Sequence, residues 1–180
     1  MKTLSAPRGA HLLAMTWGVL CVVALLGNAL YRLTPIALEP IQAGSLSGLQ
    51  LGLDIGWMVI MAYSEGYRGF HKRFSPRVVA RAYHLGQERK PLWLVLALPF
   101  CMSLFHTTRR QRIVSTVFLV AIVAVVFAVR QLSQPWRGII DGGVVVGLGL
   151  GTVSILYFYV LALTGRVPNE AALPQDEPKD

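Results

Sequence analysis

The stretch Gly44–Arg73, GSLSGLQLGLDIGWMVIMAYSEGYRGFHKR, decides how the chain is read. Its apolar part, 44–63, is long enough to cross a bilayer, which takes about 20 predominantly apolar residues. Glycines stand at Gly44, Gly48, Gly52 and Gly56, one every four residues, so they line a single helical face. Asp54 comes two residues after Gly52, roughly 200° further round, and points away from that row. Glu65 lies eleven residues beyond Asp54, close to three full turns, and returns to the acidic side. The spacing predicts a transmembrane helix with one face for close packing and one polar face, running on into the basic cluster that ends at Arg73.

Composition agrees. The chain has 180 residues, 54% hydrophobic and 14% charged, with a mean hydropathy of +0.53. A soluble domain carries about 25% charged residues. Four of the nine acids, Glu170, Asp176, Glu177 and Asp180, crowd into the last eleven positions, which leaves the remainder strongly basic within a net charge of +8. The bases lie between apolar runs, a pattern suited to anionic lipid head groups and topology signals rather than to nucleic acid. Cys21 and Cys101 sit in apolar segments without CxxC or Cys/His spacing, which points to packing.

Outward from the central stretch, the fold class is all-α: a polytopic helical membrane protein of about five hydrophobic helices plus one amphipathic interfacial helix. The spans fall at about 12–30, 44–63, 91–108, 113–130 and 138–163, in one domain over 1–165, with a disordered acidic tail over 166–180. Lys2 and Arg8 ahead of the first run also fit a signal peptide, with Gly27-Asn28-Ala29 imitating a cleavage site; its length favours a retained span. Arg32 to Gln42, with Pro35 and Pro40, reads as a loop. In the basic cytoplasmic loop 64–90, Ser75-Pro76 starts an amphipathic helix that Gly86 ends. Arg77, Arg81 and His84 share one side of it and Val78, Val79, Ala82 and Leu85 the other, as in a helix lying among lipid phosphates.

Orientation is contested within the sequence. Five crossings with the N-terminus inside leave six Lys/Arg outside. Re-entry of the Pro99 segment would leave three, which the positive-inside rule prefers. Length and the acid-rich tail lean towards five crossings.

The candidate intramembrane polar site is Asp54, Asp141 and His106. An aspartate at mid-bilayer costs roughly 2.5–3.5 kcal/mol on insertion scales, so it faces a partner, a cavity or an ion path. Asp141 lies two residues from its own glycine row, Gly143, Gly147 and Gly151; two helices packed glycine to glycine would turn both aspartates out of the seam. A second cluster, Glu65, Arg68, His71 and Lys72, has the spacing of an ion network at the cytoplasmic interface. No histidines have metal-ligand spacing, and no nucleophile elbow, P-loop, dinucleotide fingerprint or HExxH occurs, so no metal or cofactor is expected.

Three functions are compatible with these residues. One is the handling of protons, ions or a small solute around Asp54 by a small protein of a bacterial inner membrane, as a homo-oligomer. The second is a non-catalytic subunit or assembly factor that docks on a membrane-protein partner through its glycine faces. The third is a lipid-modifying enzyme using Glu65 and a histidine. Nothing in the motifs demands an enzyme.

Overall fold

A computed structural model describes residues 2–3, 7–88, 101, 120, 124 and 126–168. The expected spans 91–108 and, in large part, 113–130, and the tail from 169 onward, lie outside the described residues. The chain is all-α apart from one pair of two-residue strands. In order it runs β1 (Lys2–Thr3), α1 (Ala10–Gln42), α2 (Gly48–Met61), a π-helix (Ala62–Phe74), α3 (Ser75–Glu88), α4 (Trp136–Leu163) and β2 (Arg166–Val167). Two of these, α1 and α4, are long and apolar enough to cross a membrane. Only 33% and 22% of their most apolar windows are buried within the chain, whereas the core helix of a soluble protein is mostly buried.

These two helices lie antiparallel. At one end Thr16 and Tyr159 share a hydrogen bond of 2.8 Å; at the other, Pro40 sits against Gly138. The expected loop over 32–42 is instead the last three turns of α1, with both prolines inside the helix. A proline at position 40 cannot donate to the carbonyl of Ile36. Gln134 takes its place, donating from Nε2 to that carbonyl at 3.3 Å and to Glu39 Oε2 at 2.8 Å. Its Oε1 meanwhile accepts from the Gly138 amide at 3.0 Å, so one side chain repairs α1 and starts α4.

Gly44, at φ 59°, makes the turn out of α1. It therefore precedes α2, which begins four residues later than the start of its glycine row suggests. Ser47 caps α2 in a reciprocal capping box with Gln50. From Gly48 to Glu88 the chain stays helical, passing through thirteen residues of π-helix.

The main core gathers where α1 begins and α4 ends, joining Met15, Val19 and Val22 to Ile155, Ala162 and Val167. The third wall is α3, through Val78, Val79, Ala82, Tyr83 and Leu85. This departs from an interfacial helix with its arginines among phosphates: α3 is buried on more than its apolar side, Arg81 is 1% exposed, and the helix continues past Gly86. The start of the expected disordered tail is also ordered. Thr3 pairs with Arg166 and Lys2 with Val167, which is buried in the core. α1 lends three side chains to this core and runs unbroken through Gly27-Asn28-Ala29.

Gln134→Ala would strand the Ile36 carbonyl and free the start of α4. The expected loss is about 1–3 kcal/mol, read as a lowered midpoint of thermal unfolding in detergent, with the ratio of α-helix signal at low temperature unchanged.

Candidate functional site

The site is built where α2 and the π-helix run alongside α4, parallel to it. Four contacts set the register. Trp57 Nε1 donates to the Ile140 carbonyl at 3.3 Å, and Met61 lies over Gly143. Glu65 covers Gly147, its Cβ and Oε2 both 3.3 Å from the place a Cβ there would take. The Phe70 ring then covers Gly151. From Glu65 to Phe70 is five residues, from Gly147 to Gly151 four. The i→i+5 bonding of a π-helix adds one residue per turn, and that extra residue keeps the contact row of the π-helix in step with the glycine row of α4.

The glycine rows therefore do not meet each other. Gly143, Gly147 and Gly151 of α4 receive large side chains from the polar side of its partner. Gly48, Gly52 and Gly56 of α2 meet nothing within 4 Å among the described residues. A glycine-to-glycine seam would turn Asp54 and Asp141 outward; here Asp54 is turned into the seam. The reason is volume: a row of bare backbone offers a groove, and Trp57, Met61 and Phe70 fill it where another bare row would leave a gap. The sequence reading also passed over Gly66, which lies against Leu150, and Gly142, which lies against Met58.

Asp54 is 3% exposed, and its Oδ1 has no hydrogen-bond partner among the described residues. That oxygen comes within 3.2 Å of where a Cβ on Gly142 would stand. Asp141, the neighbouring residue on α4, is 6% exposed and is answered by Arg137, whose Nε lies 3.6 Å from Oδ2 one turn earlier. The two aspartates thus sit at one level, one paired and one not. Arg68 is fourteen residues beyond Asp54 along the same helical path and cannot reach it. His106 lies outside the described residues.

The second cluster occupies a different depth from the one its sequence suggests. The middle of α4 falls at Gly149–Leu150, and Gly66 is the residue pressed against Leu150. Glu65 and His71 therefore flank the centre of α4, while Asp54 lies near its beginning. Nor do these residues form an ion network. Among the described residues no ion pair joins Glu65 to Arg68 or Lys72, because the wider turn separates the i+3 and i+4 neighbours that an α-helix would align. Lys72 instead lies over the Tyr67 ring, 4.8 Å from its centroid, and His71 stacks on the same tyrosine at 5.8 Å.

His71 is the best-held polar group of the π-helix. Its Nδ1 is 2.9 Å from Ser154 Oγ, and Ser154 is 5% exposed. Tyr157 and Phe158 close around the ring at 6.0 and 5.2 Å. Ser154 was missed by sequence reasoning; it continues the Gly147–Gly151 row by a further turn, a signal visible only once small residues are counted together with glycine. Among the described residues no group of three or more His, Cys, Asp or Glu side chains gathers as a metal site.

No protein family, curated protein or solved structure matches this chain. The site must be argued from its own geometry.

The two glycine rows should respond oppositely to an added methyl group. Gly151→Ala would drive a Cβ into the Phe70 ring and cost about 1–3 kcal/mol. Gly52→Ala meets open space and should leave the stability within about 0.5 kcal/mol. Paired unfolding curves of the two variants check this.

Proposed function

We propose that this chain is a small multi-pass protein of the cell membrane, of the bacterial inner-membrane kind, that handles protons, ions or a small solute through the polar seam between α2, the π-helix and α4. The observation that carries the reading is Asp54. A buried carboxyl with an unanswered oxygen is expensive to keep in an apolar helix pair. Such a group is retained where something binds to it or passes it. The π-helix alongside supports the same reading, since departures from α-helical winding gather at functional sites.

Arg68 and Lys72 are exposed on the π-helix, as is Glu65 at the edge of its contact with Gly147, all level with the middle of α4. At that depth such side chains face a protein neighbour or water, not lipid. A homo-oligomer or the remaining hydrophobic segments of the chain would supply that cover, with anionic lipid head groups at the rims.

The terminal strands bear on topology. The pairing of Lys2 with Val167 supports a reading in which both ends leave the bilayer on the same side and the number of crossings is even. An even number would leave only Arg32, Arg130 and Arg137 on the far side, the split that the positive-inside rule prefers.

A second reading, a non-catalytic subunit of a larger membrane complex, is favoured by the open row Gly48, Gly52 and Gly56, flanked by exposed Leu49, Leu53 and Ile55. Under it, Gly52→Leu would dissociate a foreign subunit while Asp54 changes would not matter.

In reconstituted vesicles, Asp54→Asn should abolish flux, by at least tenfold, and leave the intact assembly mass unaltered. Flux that survives this change, together with a stoichiometric foreign subunit, would favour the docking reading. Single cysteines placed at the exposed Arg8 and Arg166 should both react with an impermeant thiol reagent from the same side of sealed vesicles. Reaction from opposite sides would exclude an even number of crossings.

A further inference from the structure

Two exposed aromatic residues bracket α4 at the spacing of a bilayer's edges. Trp136 is 45% and Tyr157 54% exposed, twenty-one positions apart in the sequence. At about 1.5 Å of rise per residue that is roughly 31 Å, close to the thickness of a hydrocarbon core. Tryptophan and tyrosine collect at both edges of such a core. On α1 the exposed Trp17 repeats the Tyr157 level, since its neighbour Thr16 bonds Tyr159. This second edge lies on the side of the paired termini.

Arg77 stands at that edge. His71, six residues before it, packs on Tyr157 at 6.0 Å; Ala82, five residues after it, meets Gly18 beside Trp17. Arg77 is half-buried, and its Nε donates to the Arg73 carbonyl at 2.7 Å, which fixes the plane of the guanidinium. Its two terminal nitrogens keep their donors, with no partner among the described residues. Arg73 is exposed one turn deeper, and a stem of that length can carry its charge up towards the same edge.

These charges repel one another. Burial pulls Arg77 below the ordinary guanidinium range, and the charge of Arg73 pulls it lower. Arg81, a turn further on and 1% exposed, brings a third positive charge close to Arg77. No acid answers the first two: among the described residues neither Arg73 nor Arg77 forms an ion pair. The acids whose side chains are described stand elsewhere. Glu39, Asp54 and Asp141 lie near the start of α4, and Glu65 covers Gly147. Lys72 is turned over the Tyr67 ring and takes no part.

We infer that Arg73 and Arg77 form a binding site for a phosphate group, whose nearest source at this depth is an anionic phospholipid. The inference rests on the membrane placement proposed above and adds a specific ligand to it. A guanidinium fork meets two phosphate oxygens at once, which an ammonium cannot do. An anion held between the two arginines removes the repulsion that the described residues leave standing. Phosphate is also the anion that a bilayer concentrates at its edge. A phosphatidylcholine carries its own counter-cation and is the weaker ligand; a phosphatidylglycerol carries none.

The test uses the full-length protein in detergent, titrated with short-chain phosphatidylglycerol, short-chain phosphatidylcholine or inorganic phosphate, with bound copies counted by native mass spectrometry. The wild type is expected to hold phosphatidylglycerol about tenfold more tightly than phosphatidylcholine. Arg77→Gln and the exposed Arg73→Gln should each weaken that binding about fivefold, and Arg77→Lys, which keeps the charge and loses the fork, should weaken it as well. Arg68→Gln removes the same charge from outside the site and should leave the binding unchanged. Circular dichroism identifies any variant that misfolds; should Arg77→Gln do so, Arg73→Gln decides. Inorganic phosphate that fails to compete assigns the site to lipid. Inorganic phosphate that competes, and is itself lost in Arg73→Gln, assigns the same site to soluble phosphate. Binding that survives both glutamine variants overturns the inference, as does an equal loss in Arg68→Gln, which would reduce the effect to net charge. Asp54→Asn should not alter this binding, so absent flux with the lipid still held counts against the functional reading alone. A protein recovered from cells in the aqueous fraction overturns both.

Discussion

The structure depends on the bare backbone of α4. Gly138, Gly142, Gly143, Gly147 and Gly151 give it a side without volume, and each is met by a side chain that a methyl group would displace. Lipid chains cannot match the dispersion contacts that such close approach provides. Pro40 of α1 and the row Trp57, Met61, Glu65 and Phe70 enter this groove, so α4 becomes the axis on which the other described helices are placed.

That constraint has an electrostatic consequence. Seating large side chains on the glycines turns the polar side of α2 inward, which buries Asp54 at the level of Asp141 and brings Glu65 and His71 beside the middle of a helix long enough to cross a membrane. The π-helix is part of the same arrangement. Its extra residue per turn maintains the row from Glu65 to Phe70 against α4 and, by the same geometry, keeps Glu65 from pairing with Arg68 or Lys72.

The joint between α1 and α4 shows how a local cost is offset at long range. Two prolines in the last turns of α1 would end an isolated helix. Gln134, nearly a hundred residues later, restores a partner to the Ile36 carbonyl and also holds Glu39 and the first turn of α4. With Thr16–Tyr159 and the paired strands at the other end, α1 and α4 are held together at both ends.

Sequence alone determined the helical class, the apolar runs behind α1, α2 and α4, the amphipathic segment behind α3, and the inventory of polar residues that interrupt them. These follow from composition and from a period of 3.6, which are local. It also marked Asp54 as turned from its own glycine row, and that is how the helix is built. The tertiary structure decided which faces meet. Two glycine rows look alike in sequence, yet Gly143, Gly147 and Gly151 are filled while Gly48, Gly52 and Gly56 stay open among the described residues, because a groove is completed by bulk and not by another groove. The continuation of α1 through Pro35 and Pro40, the partnership of Ser154 with His71, and the depth of Glu65 were equally beyond a local reading. Each depends on a residue some eighty to a hundred positions away, and no periodicity within one helix encodes the register of its neighbour.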